Sequence, residues 1–189
     1  MNILLHICCG PCTAYPLQVL RGEGHAVQGW FHNPNIHPYQ EFRRRLEALE
    51  VFSAARNLPV DYDREYGLRE FLRQVVFHEE ARCLSCYEMR LRAVARRAKE
   101  TGADAFTSTL LYSRYQNHSA LKSLGERLAV EYGVPFYYQD FREGWQEGIE
   151  MSVEMGLYRQ PYCGCIYSEE ERYDPTRRRK KKEADHSQQ

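Results

Sequence analysis

The stretch Asn2-Ile3-Leu4-Leu5-His6-Ile7-Cys8-Cys9-Gly10-Pro11-Cys12 opens the chain with a short apolar run that ends in sulfur, glycine and proline. Such a run reads as a buried strand, and the cysteines then stand at a strand-to-helix junction. Four further runs read the same way, at residues 27–31, 60–62, 105–107 and 136–138. Helical spacing fills most of the intervals: Phe42, Leu46, Leu49 and Phe52 form one apolar stripe, with Arg43, Arg44 and Arg45 expected to turn mostly outward. Tyr87, Leu91, Val94 and Ala98 form a second stripe, ending near Gly102, and Leu121, Leu124, Leu128 and Tyr132 a third, closed by Gly133 and Pro135. This alternation predicts an α/β fold: one doubly wound, Rossmann-like, five-stranded parallel sheet with helices on both faces.

In such a sheet the loops after the strands gather on one edge, where ligands bind. Cys8, Cys9 and Cys12 follow the first strand, and His32 to Pro38 the second. Ser108 to His118 follow the fourth, and Asp140 to Arg142 the fifth, so these segments are expected to share one site.

At 189 residues the chain fills one domain, expected over 1–170, without needing disulfides to fold. Residues 174–189 include a run of arginine and lysine from Arg177 to Lys182, read as a mobile basic tail that is either merely solvated or a phosphate contact. Twenty-six basic and 26 acidic side chains cancel, so no global positive field announces a nucleic-acid partner. The opening run is too short for a secretory signal and no stretch suits a membrane span. A cytoplasmic protein with reduced thiols is expected, and an odd count of seven cysteines fits that. Metalloprotease, serine-hydrolase, Walker and dinucleotide motifs are missing, which removes the usual support for hydrolase and dehydrogenase readings.

The cysteines stand in three groups, and sulfur gathered this way serves chemistry better than packing. Cys83-Leu84-Ser85-Cys86 opens a helix and suits one metal centre; with Cys8 and Cys9 it makes four thiolates, the requirement of a structural zinc or of an iron-sulfur cluster. Adjacent cysteines argue against simple zinc. Cys9-Gly10-Pro11-Cys12 has the letters of the thioredoxin dithiol at a helix amino end, making thiol-disulfide exchange the competitor. Cys163-Gly164-Cys165 would close a strained disulfide, which suits a redox-active pair or two ligands to a second metal.

Among the histidines, His6 reads as a hydrogen-bonded interior residue, while His32 and His37, in a loop bounded by Pro34 and Pro38, are candidates for positioning substrate. Fourteen tyrosines are many, and most serve packing. Those beside arginine, as in Tyr112-Ser113-Arg114-Tyr115 and Tyr158-Arg159, pair a stacking face with a phosphate-seeking charge, which suits an unstacked RNA base.

Four segments are longer than bare spacings: residues 5–12, Arg82-Cys83-Leu84-Ser85-Cys86-Tyr87, the run from Thr109 to His118, and the run from Tyr158 to Cys165. Together they resemble the QueH family of epoxyqueuosine reductases over residues 2–168, with the basic tail outside the match. The family is similar in layout to the PP-loop/HUP tRNA-thiolating enzymes, but Cys8 to Cys12 here replace their ATP loop, so an ATP role is unsupported. The resemblance implies reduction of the epoxide of epoxyqueuosine, at the wobble position of a tRNA anticodon, to queuosine. It implies an iron-sulfur cluster in place of cobalamin, and an electron donor that the sequence does not identify.

On that reading Cys8, Cys9, Cys83 and Cys86 bind a [4Fe-4S] cluster, Cys163 and Cys165 form a redox-active pair or hold a second, mononuclear iron, and Cys12 is a spare ligand or proton donor. Converting an epoxide to an alkene and water takes two electrons and two protons, so a second electron store is useful beside a cluster. Asp140, Tyr115 or His118 is expected to donate or orient a proton, and Asp140 to accept the amino edge of the deazaguanine. Tyr112, Arg114, Tyr115, His118 and Arg159 are the expected substrate contacts.

Overall fold

The computed structural model describes residues 1–176; the expected tail lies mostly outside the described residues. Four strands form one parallel sheet: β1 (Asn2–Ile7), β2 (Ala26–Phe31), β3 (Val60–Tyr62) and β4 (Ala105–Ser108), in the order β3-β2-β1-β4. β1 is central, pairing Ile3 with both Val27 and Ala105, and its Ile3, Leu4, Leu5, His6 and Ile7 are at most 1% exposed. Burial on both faces is why this strand carries continuous apolar residues instead of alternating ones. His6, the exception, bonds through its ring to Ser108 Oγ at 2.9 Å and the His32 carbonyl at 3.0 Å, the interior role expected of it.

The α-helices among the described residues are α1 (Gly10–Gly22), α2 (Tyr39–Ala55), α3 (Leu68–Val75), α4 (Arg82–Thr101), α5 (His118–Tyr132), α6 (Trp145–Glu154) and α7 (Ile166–Tyr173). α1 packs on α2 and α6, while α4 packs on α3 and α5, so the sheet is flanked by two helical layers. Tyr87, Leu91, Val94 and Ala98 are buried along α4 as their spacing predicts, and Gly102 and Gly133 end α4 and α5 in the left-handed conformation. Phe31, Phe42, Phe52 and Phe106 lie in the core that joins sheet and helices, each contributing about 1.5–3 kcal/mol by burial. Gly10 lets α1 approach α2 closely: a Cβ there would lie 2.7 Å from the Ala48 carbonyl oxygen.

The sheet has four strands, not the expected five. Residues 136–138 run beside β4, but Phe136 makes a single parallel bridge to Phe106, supported by bonds from Phe106 N–H to Pro135 O and from Tyr137 N–H to Phe106 O. Pro135 has no N–H to donate to a ladder. Asp140 then turns the chain away by accepting the Arg142 N–H at 3.1 Å, so the apolar run ends before a strand develops.

Candidate active site at the carboxyl edge of the sheet

β2 and β4 lie on opposite sides of β1, so the connections leaving β1 and β4 part toward opposite faces and leave a crevice at the strand ends. Cys8 and Cys9 occupy the end of β1, and Cys9 is the residue on which α1 begins. Thr109, just past β4, accepts the Cys8 N–H at 3.1 Å and donates its hydroxyl to the Cys8 sulfur at 3.3 Å; Thr13 ties the Cys9 carbonyl at 2.8 Å.

The sulfurs of Cys8, Cys9 and Cys12 all lie within 4.8 Å of one another and are buried. Hydrogen bonds from the Cys12 and Cys9 thiols, and then from Thr109, hold the Cys8 thiol well below its usual range, with the Arg90 guanidinium adding to the effect. Burial pushes the Cys9 thiol up, and the neighbouring Cys8 sulfur raises Cys12.

Cys83 and Cys86 sit in the first turns of α4, and Cys163 and Cys165 in the loop before α7. Cys86 and Cys165 share a small apolar cluster with Phe71 and Val75, and all four of these sulfurs lie within electrostatic reach of one another. Burial pushes the Cys86 thiol up to about 12, against the pull of Arg90. The cysteines expected as one ligand set thus fall in two groups, Cys8 and Cys9 with Cys12, and Cys83 and Cys86 with Cys163 and Cys165. Arg90 joins the groups: its guanidinium feels Cys86, Cys163 and Cys8.

All seven cysteines are free thiols, and the one compact ligand group among the described residues contains sulfur alone. An all-thiolate donor set, partly buried and close to fixed positive charge, fits an iron-sulfur cluster better than a hard cation.

The loop carrying Cys163 and Cys165 is tied to the body by residues whose role the sequence concealed. Arg45, expected to face outward, is 1% exposed; it pairs with Glu41 at 2.7 Å and donates to the carbonyls of Cys163 at 2.8 Å and Tyr162 at 2.9 Å. His37, expected to meet substrate, is fully buried instead: its N–H donates to the Gly164 carbonyl at 2.8 Å and its Nδ1 accepts the Ile166 N–H at 3.3 Å.

A cavity of about 560 Å³, ample for one nucleoside, opens over these sulfurs, lined by Cys8, Cys12 and Cys163. Tyr112, Tyr115 and Arg159 also line it, three of the five expected substrate contacts. Arg114 lies over the ring of Trp145, 5.6 Å from its centroid, and Trp145, which the sequence did not single out, stacks on Tyr112 within the lining. Gln160 and Gln116 were also missed; their amides donate to Cys12 at 3.1 Å and Cys163 at 3.3 Å. Arg90 had a legible signal, the four-residue helical spacing from Cys86.

Two expected residues stand elsewhere. His118 is buried at the start of α5, and neither it nor Asp140 is among the cavity's lining residues. Asp140 is gripped by the Arg142 guanidinium, which holds its carboxyl down at about 2. A carboxylate so paired is a poor proton donor, and the expected roles of Asp140 at the substrate lose their geometric basis.

Fold and site together define a parallel α/β protein whose strand-end cavity joins a thiol cluster to an aromatic and arginine rim. The chain belongs to the QueH family: the family model described as Epoxyqueuosine reductase QueH matches residues 3–171. A relative of that name from Dehalococcoides mccartyi is 39% identical over 172 residues, covering 91% of this chain and 94% of the relative. Another, from Thermotoga maritima, is 33% identical over 177 residues, covering 88% and 90%. In fold, the chain is similar to the crystal structure of a predicted subunit of tRNA methyltransferase from Methanocaldococcus jannaschii, with a TM-score of 0.54 at 9% identity over 82% of this chain and 76% of that one. A thioredoxin-like exchange at Cys9 and Cys12 is not favoured, since the family match spans residues 3–171 and both thiols are buried from an exchange partner. Among the described residues no helix is long and apolar enough to cross a membrane.

Proposed function

We propose that this chain reduces the epoxide of epoxyqueuosine, at the wobble position of a tRNA anticodon, to the cyclopentene of queuosine, without cobalamin. The observation that carries the reading is the meeting of Cys8, Cys12 and Cys163 with Tyr112, Trp145 and Arg159 around one nucleoside-sized cavity, in a chain of the QueH family.

The reaction breaks two C–O bonds, forms a C=C bond and releases water, taking up two electrons and two protons. Cys8 and Cys9 from one sulfur group and Cys83 and Cys86 from the other would together hold a [4Fe-4S] cluster, which would supply electrons singly, with Cys12 as a spare ligand or proton donor. As a dithiol, Cys163 and Cys165 hold two electrons and two protons, released when the two sulfurs join; an external electron donor restores them. The same pair is an alternative ligand set for a second, mononuclear iron, which iron stoichiometry distinguishes. The redox chemistry is assigned to residues 1–170, and Arg172 at the end of α7 adds a binding contact to the cavity lining.

Tyr115, 83% exposed, and Trp145 offer ring surface for an unstacked base, and the buried Tyr112 backs Trp145 by stacking on it. Arg159 and Arg172 line the same opening and attract the phosphates that flank the base, as Arg114 does from above Trp145. Gln116 and Gln160 bring amide dipoles to the Cys163 and Cys12 sulfurs in the cavity lining.

The reading is tested in a bacterial host that lacks its own epoxyqueuosine reductase and is grown without cobalamin. Expressing this chain is expected to replace epoxyqueuosine by queuosine in bulk tRNA. Persistence of epoxyqueuosine with soluble, iron-loaded protein present overturns the reading.

A further inference from the structure

Arg90 is a charge buried without an acid to meet it. It is 2% exposed, and among the described residues no carboxylate stands within ion-pair distance of it, in contrast to Arg45 with Glu41. An arginine keeps its charge under all ordinary conditions, and burying it unpaired is unfavourable. Its polar partner is sulfur: Nη2 donates to Cys86 Sγ at 3.0 Å and Nε donates to the Cys86 carbonyl at 3.2 Å, and the Cys163 and Cys8 sulfurs lie within its electrostatic reach. The four-residue spacing on α4 sets this reach, since Cys86 and Arg90 lie one above the other on the same helical face. Arg90 also lines the cavity, although its side chain is too buried to serve as a phosphate contact like the exposed Arg159.

We propose that Arg90 is a positioning residue for an iron-sulfur group held by these cysteines: its fixed charge is hydrogen-bonded to the Cys86 sulfur, reaches Cys8 electrostatically, and favours the more negative, reduced state. The inference rests on the cofactor assignment under the proposed function. Net charge and hydrogen bonds to sulfur are among the factors that set such potentials, and Arg90 supplies both at once. A positive charge stabilises the added electron, so the sign is fixed: removing the charge makes the group harder to reduce.

The test compares wild type with Arg90→Lys and Arg90→Met in the full chain, reconstituted anaerobically with iron and sulfide. The readouts are iron and sulfide per chain and the midpoint potential from a spectroscopic redox titration. At the wild-type midpoint, Arg90→Met is expected to shift the oxidised-to-reduced ratio at least tenfold toward oxidised, about 59 mV for a one-electron couple, while Arg90→Lys shifts it by less than half of that interval. If Arg90→Met holds no iron, the expectation moves to content, and Lys must restore what Met loses. A fully loaded Arg90→Met protein with the wild-type potential overturns the proposal, and so does equal loss of iron from both variants. Wild type that takes up no cluster refutes the cofactor assignment itself, a distinct outcome.

Discussion

Arg45 Nη1 donates to the Cys163 carbonyl at 2.8 Å, so a guanidinium rooted in α2 fixes the loop that carries two of the seven cysteines. The same guanidinium is held by Glu41, whose other oxygen accepts the Tyr158 hydroxyl at 2.5 Å. Removing Arg45 leaves Glu41 as an uncompensated buried charge. Arg45→Met is expected to cost about 3–5 kcal/mol of stability, read from denaturant unfolding, and Glu41→Gln made in the Met background should recover part of it.

Gly164 lies between Cys163 and Cys165 at φ +149°, and a Cβ there would stand 3.2 Å from Arg45 Nη1 and 3.3 Å from Asn35 Nδ2. Gly164→Ala should therefore shift the loop, at a strain of about 1–3 kcal/mol. Epoxide reduction is expected to slow by tenfold or more while the chain stays folded. Unfolding midpoints and single-turnover rates, measured together, separate the two effects.

Stability should fall as the medium is acidified from neutrality. Burial lowers the His37 pKa from 6.5 to about 4, so below pH 6.5 the unfolded chain takes up a proton that the folded chain refuses until about pH 4. The contribution of His37 is thus fully present above pH 6.5 and is lost progressively toward pH 4. Urea midpoints at pH 7 and pH 5 should show the drop, and His37→Gln, though less stable at both, should show a smaller one.

Substrate contacts predict a division by type. Trp145→Ala should weaken binding of the modified anticodon by about 1–3 kcal/mol with little change in its salt dependence, as expected for loss of base stacking. Arg159→Ala should weaken binding and lower the salt slope by about one unit. Asp140→Asn should leave turnover within about twofold, because Arg142 already occupies that carboxylate. Filter binding across a salt series and initial rates distinguish all three.

Much of this was legible in the chain. The first two strands, β4, the buried stripe of α4 and its glycine stop follow from short apolar runs and helical spacing. The fifth run misled because Phe136 to Tyr138 have strand composition, yet Pro135 and the Asp140 turn leave room for only one bridge. Composition could not reveal burial of Arg45 or His37, since both are polar and each is satisfied by backbone carbonyls and N–H groups far away in sequence. The cysteine motifs identified the chemistry, but their grouping into two sets around Arg90 depends on how α4 and the 158–165 loop pack at the sheet edge. Trp145 carried no motif; it joins the site because α6 packs on α1.

The most direct test uses purified, anaerobically reconstituted protein, a chemical reductant, no cobalamin, and tRNA bearing epoxyqueuosine, with nucleosides read by mass spectrometry. The account predicts a product one oxygen atom lighter, formed by wild type and reduced at least a hundredfold in Cys8→Ser and in Cys163→Ser. Unchanged epoxyqueuosine after incubation with protein that holds its cluster and binds the tRNA would contradict it.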